Sequence, residues 1–207
     1  PEITRNGSTI YDVKIAGDYN NHIITLDKIS LRDSAGKLES KASYHPATKT
    51  AKFEAQSTLH LQMLCRQLFG ISVMNQLTFS TPPAISCTGT VRLSSGSPAE
   101  TIITGQISVS DFSFLGSRFE KLETDFSSHD RDVFLTRLHA THSKGELKGR
   151  ILLKDETIQY EADSTLPASA YMPFLNESGI GKALESALFR DDSSIHIKAQ
   201  GTMNRHR

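Results

Sequence analysis

The 207-residue sequence contains no tryptophan, only two cysteines and no excess of either charge. Two cysteines, Cys65 and Cys87, are too few for the disulfide framework of a small secreted domain. Lys+Arg and Asp+Glu both number 23, so no long-range field draws the chain onto nucleic acid or an anionic surface. No apolar run approaches the ~20 residues of a membrane-spanning helix. These absences argue against a disulfide scaffold, a nucleic-acid-binding protein and a membrane span within the chain.

Motifs that carry chemistry are missing as well. The sequence has no phosphate-binding G-x-x-x-x-G-K-[ST] or G-x-G-x-x-G motif. His139 and His142 lie three residues apart, so on a strand they point to opposite faces and do not share a metal ion. HDRD at 129–132 predicts a solvated hairpin turn. Ser57 and Ser164 recur without a nucleophile elbow or a base, which favours a packing or hydrogen-bonding role. We therefore expect no catalytic residue, no metal site, no cofactor and no enzyme.

What the sequence does contain is an internal repeat. It reads FEAQSTL at 53–59 and YEADSTL at 160–166. Gly36 in DSAGKLESKASY matches Gly145 in HSKGELKGRILL. At the same spacing the apolar residues Ile24, Leu26, Ile29 and Leu31 match Val133, Leu135, Leu138 and Ala140. A period of about 110 residues with two copies indicates tandem modules.

Both copies alternate apolar and polar residues, slip by one position, and alternate again. Period two predicts a strand with one buried face, and the shared slip predicts a β-bulge at the same place in both copies. After the glycine turn, Leu38, Ser40, Ala42 and Tyr44 match Leu147, Gly149, Ile151 and Leu153. We predict a mainly β fold: an extended, twisted antiparallel meander sheet built from tandem repeats, with short helices between modules.

Two segments predict those helices. LHLQMLCRQLFG at 59–70 has helical spacing, and 166–189 holds a turn opened by proline and a second helix. Each is followed by a strand ending in Gly-Thr, AISCTGTVRL at 84–93 and SIHIKAQGTM at 194–203. The first module is predicted to span 1–93 with an incomplete start. The second spans 94–207 and includes the first strand of the next, as expected of an internal piece of a longer protein.

The cysteines fall at apolar positions of this repeat. Aligning the two Gly-Thr pairs matches Cys87 with Ala199. Extending the match of Phe53 with Tyr160 along the chain brings Cys65 opposite Met172. Both cysteines are therefore predicted to be buried small hydrophobes. A disulfide between them stays open as an alternative in an oxidising compartment.

This order of elements resembles the AsmA-like superfamily of bacterial envelope proteins, of the TamB and YhdP type. The resemblance rests on GKLES and GELKG after a turn, on the A-x-S-T-L strand before a helical segment, and on the I-x-x-x-G-T strand after it. It covers about residues 8–203. It implies a periplasmic position in a protein anchored in the inner membrane, with the anchor outside this sequence. It also implies an apolar groove that carries phospholipid tails or assists outer-membrane assembly.

Our leading hypothesis is a non-enzymatic envelope module whose apolar sheet face contacts lipid acyl chains or neighbouring modules of the chain. The candidate residues of that face are Ile24, Leu26, Ile29, Leu31, Val133, Leu135 and Leu138. One alternative is a structural or protein-interaction module, in which the helices seal the same face. A second is an unrecognised hydrolase, which would need a cleft with convergent polar groups.

Overall fold

The structure is a computed structural model, which describes residues 3–5, 8–59, 77–93, 99–114, 116–130, 132–154, 157–167 and 194–202. The two predicted helical segments lie almost wholly outside the described residues, as does Cys65. Cys87 carries a free thiol. Within the described residues the chain forms strands and turns.

Thirteen strands form one antiparallel sheet in the described part of the chain. They are β1 (Ile3–Arg5), β2 (Ser8–Asn20), β3 (Ile23–Arg32), β4 (Lys37–His45), β5 (Thr50–Ser57), β6 (Leu77–Phe79), β7 (Ala84–Arg92), β8 (Glu100–Phe114), β9 (Ser117–His129), β10 (Asp132–His142), β11 (Gly145–Lys154), β12 (Thr157–Ser164) and β13 (Ile195–Thr202). Each strand pairs with the next, except that β5 pairs with β7 and the short β6 pairs with the end of β8. The predicted antiparallel meander is confirmed.

Turn residues close the hairpins as their backbone preferences require. Asn21 and His22 link β2 to β3 with positive φ angles of 48° and 62°, which suits the tight turns that match strand twist. Asp130, with φ of 55°, lies between β9 and β10, and its carboxylate accepts the Thr101 backbone N–H at 2.9 Å. His129 pairs with Asp132, so the predicted hairpin between β9 and β10 is confirmed.

Both modules carry the predicted bulge at equivalent positions. The pairing of β3 with β4 shifts between Leu26 and Ile29. The pairing of β10 with β11 shifts between Leu135 and Leu138, which are the residues that the repeat matches to Leu26 and Ile29. The phase slip in the sequence is therefore a β-bulge that recurs in the repeat.

The A-x-S-T-L motif makes the same hydrogen bonds in both modules. Thr58 Oγ1 accepts the Lys37 N–H at 3.1 Å, and the Thr58 N–H donates to the Lys37 carbonyl at 2.8 Å. The corresponding distances for Thr165 and Glu146 are 3.0 Å and 2.9 Å. Each motif thus fastens the end of one strand to the start of a neighbouring strand, which satisfies backbone groups beyond the ladder.

The repeated serines have the hydrogen-bonding role predicted for them. Ser57 Oγ accepts the Leu59 N–H at 3.2 Å, and Ser164 Oγ accepts the Leu166 N–H at 3.1 Å. Both are local bonds between a side chain and the backbone two residues on, as in the turns that serine favours.

The alignment of the last strand of each module was wrong by two residues. Phe53 pairs with Gly89, and its equivalent Tyr160 pairs with Ala199 rather than Gly201. Strand pairing therefore matches Gly89 with Ala199, so Cys87 corresponds to Ile197 and not to Ala199. The Gly-Thr pair misled the alignment because it lies near the strand end, whereas partner strands and burial set the register.

The well-buried core lies at one end of the central strands, beside the turn between β8 and β9, where β8, β9, β10 and the residues after β12 meet. Its members are Val109, Phe112, Phe119, Ala140 and Leu166. The rings of Phe112 and Phe119 stack with their centroids 5.1 Å apart. Partly buried Leu77 and Phe79 of β6 pack against this cluster, which explains why the short strand pairs there.

Candidate functional site

Strand pairing brings all seven predicted face residues to one side of the sheet, because directly paired residues share a face. Three rows of paired residues carry most of them across the sheet. The first row is Leu26, Ala42, Phe53, Gly89, Ile103, Ser128, Val133, Leu153 and Ile158. The second is Ile29, Ser40, Ala55, Cys87, Gly105, Phe126, Leu135, Ile151 and Tyr160. The third is Leu31, Leu38, Ser57, Ile85, Ile107 and Thr124, with Leu138 beside Thr124 at the bulge.

We call this surface, from β2 to β13, the apolar face. It joins the two modules without a break, because β7 pairs with β8 from Arg92 opposite Glu100 to Ala84 opposite Ser108. The predicted division of the chain at residue 93 stays a prediction, and the sheet is continuous across it.

Exposure varies along the apolar face. Six of the seven predicted residues are half-buried, and Ile24 is 39% exposed. Towards the β2 edge, Ile15 and Tyr19 are each 65% exposed, and near the other edge Tyr160 is 40% exposed. Sequence analysis missed Ile15 and Tyr19, although the alternation in YDVKIAGDY held the signal.

Two phenylalanines lie flat across glycines on the neighbouring strand. A Cβ at Gly89 would meet the Phe53 ring at 2.4 Å, and one at Gly105 would meet the Phe126 ring at 2.7 Å. Glycine in a strand interior often marks such a close approach. Sequence analysis did not place Phe53 and Phe126 in the candidate set, and an aromatic residue opposite a strand glycine is the signal that could have found them.

The opposite side of the sheet is mostly polar. Its side chains alternate along the strands with those of the apolar face, and they include Lys41, Glu54, Thr88, Thr104 and Ser127. Its apolar members include Ile102, Phe134 and Leu152, of which Ile102 is 46% exposed. A groove of about 900 Å³ is lined by these five polar residues and also by residues of the second row, Ile29, Ala55, Cys87, Gly105 and Phe126. The sheet thus has one mainly apolar and one mainly hydrated surface, the pattern expected of an antiparallel sheet with one solvated face.

Ion pairs on the polar side shift several carboxyl groups. Hydrogen bonds from Lys148 and His139 lower the pKa of Glu146. A hydrogen bond from Arg150, at 2.7 Å, lowers the pKa of Glu161. All these groups are solvent-accessible, so the shifts are those of surface ion pairs and not of a catalytic pair in a desolvated cleft.

The two histidines considered as a metal pair have separate environments. His139 Nε2 lies 2.8 Å from Glu146 Oε2 on the polar side. His142 Nδ1 accepts the Lys144 N–H at 3.0 Å in the turn after β10. In the repeat, Asp33 of the first module corresponds to His142. Its carboxylate likewise accepts a backbone N–H two residues on, from Ala35. Within the part of the chain that the structure describes, no group of three or more His, Cys, Asp or Glu residues could hold a metal ion.

Burial raises the pKa of the Cys87 thiol. The thiol lies on the apolar face, in the row that contains Ala55 and Gly105. A raised pKa keeps the group protonated and poorly nucleophilic near neutral pH. Cys87 therefore acts as a small apolar side chain, in keeping with its repeat equivalent Ile197.

Fold and surface together define a class of protein, the open antiparallel β-meander with one continuous apolar face. Comparison with known proteins takes the assignment no further: no family model, no curated protein and no solved structure matches the chain. Among the described residues, no helix combines the length and apolar character needed to cross a membrane.

Proposed function

We propose that the apolar face binds acyl chains of phospholipids. The protein would act without catalysis, as a module of a periplasmic lipid-transport or outer-membrane-assembly protein of the AsmA-like kind. The observation that carries the proposal is the register, which aligns apolar residues of both modules in continuous rows from β3 to β12. An elongated apolar strip suits an elongated apolar ligand.

Exposure of large side chains supports the same proposal. Away from the unpaired edge of β2, Ile24 and Tyr160 are 39% and 40% exposed on this face. Extended apolar surface on a protein usually marks an interaction site. Each methylene of a bound chain that leaves water contributes about 0.8 kcal/mol, so contact over several strands suffices for binding without polar anchors.

The residues of the three rows also predict the selectivity. They are aliphatic, aromatic or small, with serine and threonine as the polar members. No charged side chain stands among them to recognise a particular head group. We therefore expect binding to depend on acyl-chain length and only weakly on the head group.

The resemblance in sequence pattern supports an envelope location, and we propose that the module lies in the periplasm. The sheet would then provide one stretch of an apolar path between the two membranes.

Photocrosslinking in the cells that make the protein tests the proposal. A benzophenone amino acid at Phe53 points to the apolar face, and at the adjacent Glu54 it points to the polar groove. We expect mass spectrometry to find phospholipid attached at position 53 and little at 54, because neighbouring strand residues face opposite sides. Lipid attached equally at both positions, or at neither, would count against lipid binding.

A second candidate is a structural or protein-interaction module with a sealed face. The buried cluster of Val109, Phe112, Phe119, Ala140 and Leu166 favours it, since this end of the face is covered by the protein itself. The same experiment separates the two. Crosslinks from Phe53 to protein alone, including other parts of the chain, would support the structural candidate.

A further inference from the structure

The side of the sheet opposite the apolar face carries a groove that crosses the strands. The groove of about 900 Å³ extends from β3 to β10, and a second hollow of about 560 Å³ continues it from β10 to β13. Among the described residues that line the two, several belong to the second row and none to the first or third. Both hollows therefore open on the hydrated side, between side chains that point away from the apolar face. We call the two together the cross-strand groove.

The charges that line the cross-strand groove balance. Its basic and acidic side chains are equal in number, and they are Lys28, Lys41, Arg137, Arg150, Lys198, Asp27, Glu39, Glu54, Asp125 and Glu161. Some already form ion pairs: Arg150 donates to Glu161 at 2.7 Å, and Arg137 pairs with Asp125. Because a highly charged polymer such as nucleic acid needs an excess of the opposite charge, this lining suits an uncharged ligand.

Between the charges, the lining presents hydroxyl and carboxamide groups. They belong to Gln56, Ser86, Thr88, Thr104, Gln106, Ser127, Thr136, Gln159 and Gln200. A hydroxyl group both donates and accepts hydrogen bonds, and a carboxamide carries a donor and an acceptor side by side. Such a lining matches a ligand whose own groups do both, which is the property of sugar hydroxyls.

One stretch of the cross-strand groove is apolar where the repeat has polar residues. Phe134 pairs with Leu152, and both side chains are half-buried where β10 and β11 line the groove. At the spacing that relates the two modules they match Thr25 and Ser43, which pair with each other in the first module. The second module therefore has an apolar platform on the hydrated side, at a place where the first module has two hydroxyl groups.

We propose that the cross-strand groove binds an uncharged glycan chain, with one sugar ring on the platform of Phe134 and Leu152. The apolar C–H face of the ring covers the two side chains. Its hydroxyls bond to the exposed carboxamides of Gln159, which pairs with Leu152, and of Gln200, which pairs with Gln159. An apolar base with a few polar groups at its border is the usual composition of a ligand site. This site lies opposite the apolar face and does not depend on lipid binding there.

The direction of the groove favours a glycan over an added peptide strand. It crosses ten strands of the sheet, so it is about 40 Å long at about 4.8 Å per strand. A peptide that extends the sheet needs unpaired backbone groups, whereas every strand from β4 to β12 along the groove has a neighbour on each side. A glycan needs only the side chains that the groove presents.

Calorimetric titration of the full chain with uncharged hexasaccharides tests the proposal. The probes are chitohexaose, cellohexaose and maltohexaose, which differ in linkage and in substituents. We expect at least one to bind, and its disaccharide to bind more weakly because it fills less of the groove. Hexagalacturonate carries a carboxylate on each ring, and we expect it to bind more weakly than the best uncharged probe, because the lining offers no excess of positive charge.

Phe134→Thr combined with Leu152→Ser installs the residues of the first module and removes the platform. We expect the affinity to fall about tenfold, because the stacking contact and its apolar area are lost. Gln159→Leu removes one exposed carboxamide and should lower the affinity several-fold. Ile102→Thr is the control: it removes an apolar side chain that is 46% exposed on the same side but does not line the groove, and it should leave the affinity unchanged.

NMR chemical shifts locate the bound probe. We expect shifts at the side-chain amides of Gln159 and Gln200 and none at Phe53 on the apolar face. Urea unfolding checks that each variant is folded, and if the double variant is destabilised, Gln159→Leu decides. The proposal is overturned if no uncharged hexasaccharide binds, if hexagalacturonate binds as tightly, if the affinity is insensitive to these substitutions, or if the shifts are confined to the apolar face.

Discussion

β2 and β9 are related by the spacing that relates Gly36 to Gly145, so they have equivalent places in the two modules, yet they differ in burial. Ile15 in β2 is 65% exposed, and Thr124 at the same position of β9 is 5% exposed. The more apolar residue is therefore the more exposed one. Burial here depends on having a strand on each side, and hydrophobicity alone did not decide it.

The buried threonine is stabilised by hydrogen bonding. Its hydroxyl donates to the Thr136 carbonyl at 3.0 Å, and it also lies 3.1 Å from the Asp125 carbonyl. Thr136 and Asp125 pair at the bulge between β9 and β10. A buried polar group costs little when it is satisfied in this way. The bulge thus supplies the acceptor that lets a polar residue lie within the apolar face.

The largest expected difference between the two modules concerns Phe119 and its equivalent Ile10. Phe119 is 6% exposed in the core and stacks on Phe112, whereas Ile10 is half-buried next to the edge. Phe119→Ala should lower the free energy of unfolding by about 3–5 kcal/mol, and Ile10→Ala by clearly less. Urea unfolding measures both. If both substitutions lowered the free energy of unfolding equally, Ile10 would be packed as tightly as Phe119, and the two modules would not differ in burial at this position.

A smaller effect is expected where Phe53 covers Gly89. Gly89→Ala places a methyl group within 2.4 Å of the ring and should destabilise the protein by about 1–3 kcal/mol. Phe53→Leu removes the clash, so the double variant should lose less than the sum of the two single changes. Additive losses in urea unfolding would mean that the ring does not lie over the glycine.

The smallest effect is a pH dependence carried by the polar side of the second module. Glu161 has a lowered pKa because of Arg150, so the pair stabilises the fold above the ordinary pKa of glutamate, about 4.3. That contribution is lost as the pH falls through the lowered folded-state pKa. Glu161→Gln should weaken the loss of stability on acidification in urea titrations, to a small extent because the pair is exposed.

Arg150→Met is the control for this pair. It removes the partner, so it should reduce the acid sensitivity by a similar amount, and adding Glu161→Gln should change little further. An acid sensitivity that neither substitution alters would place its origin elsewhere.

Much of the fold could be predicted from the sequence, because burial imposes period two on strands. The bulges at Leu26 and Leu135 were visible as a shared phase slip, and the hairpins followed from turn residues between alternating segments. The apolar face was predicted by seven residues that do share one side of the sheet.

Other features left no such pattern. The register of β13 depends on its pairing with β12, and an alignment on Gly-Thr shifted it by two residues. The three-residue β6 is set by packing of Leu77 and Phe79 on the core, which no local periodicity records. Ile15 and Tyr19 belong to the face, but their exposure follows from an unpaired edge, which the sequence pattern does not reveal.

The central claim is that both modules turn apolar side chains to one shared surface that binds acyl chains. A protonated fatty acid added to isotope-labelled protein tests it by intermolecular NOEs, which require direct contact between ligand and side-chain protons. We predict NOEs from the acyl chain to the side chains of Leu26, Phe53 and Val133, and none to the side chain of Glu54, which faces the other side. NOEs confined to one module, equal on both faces, or absent would contradict the account.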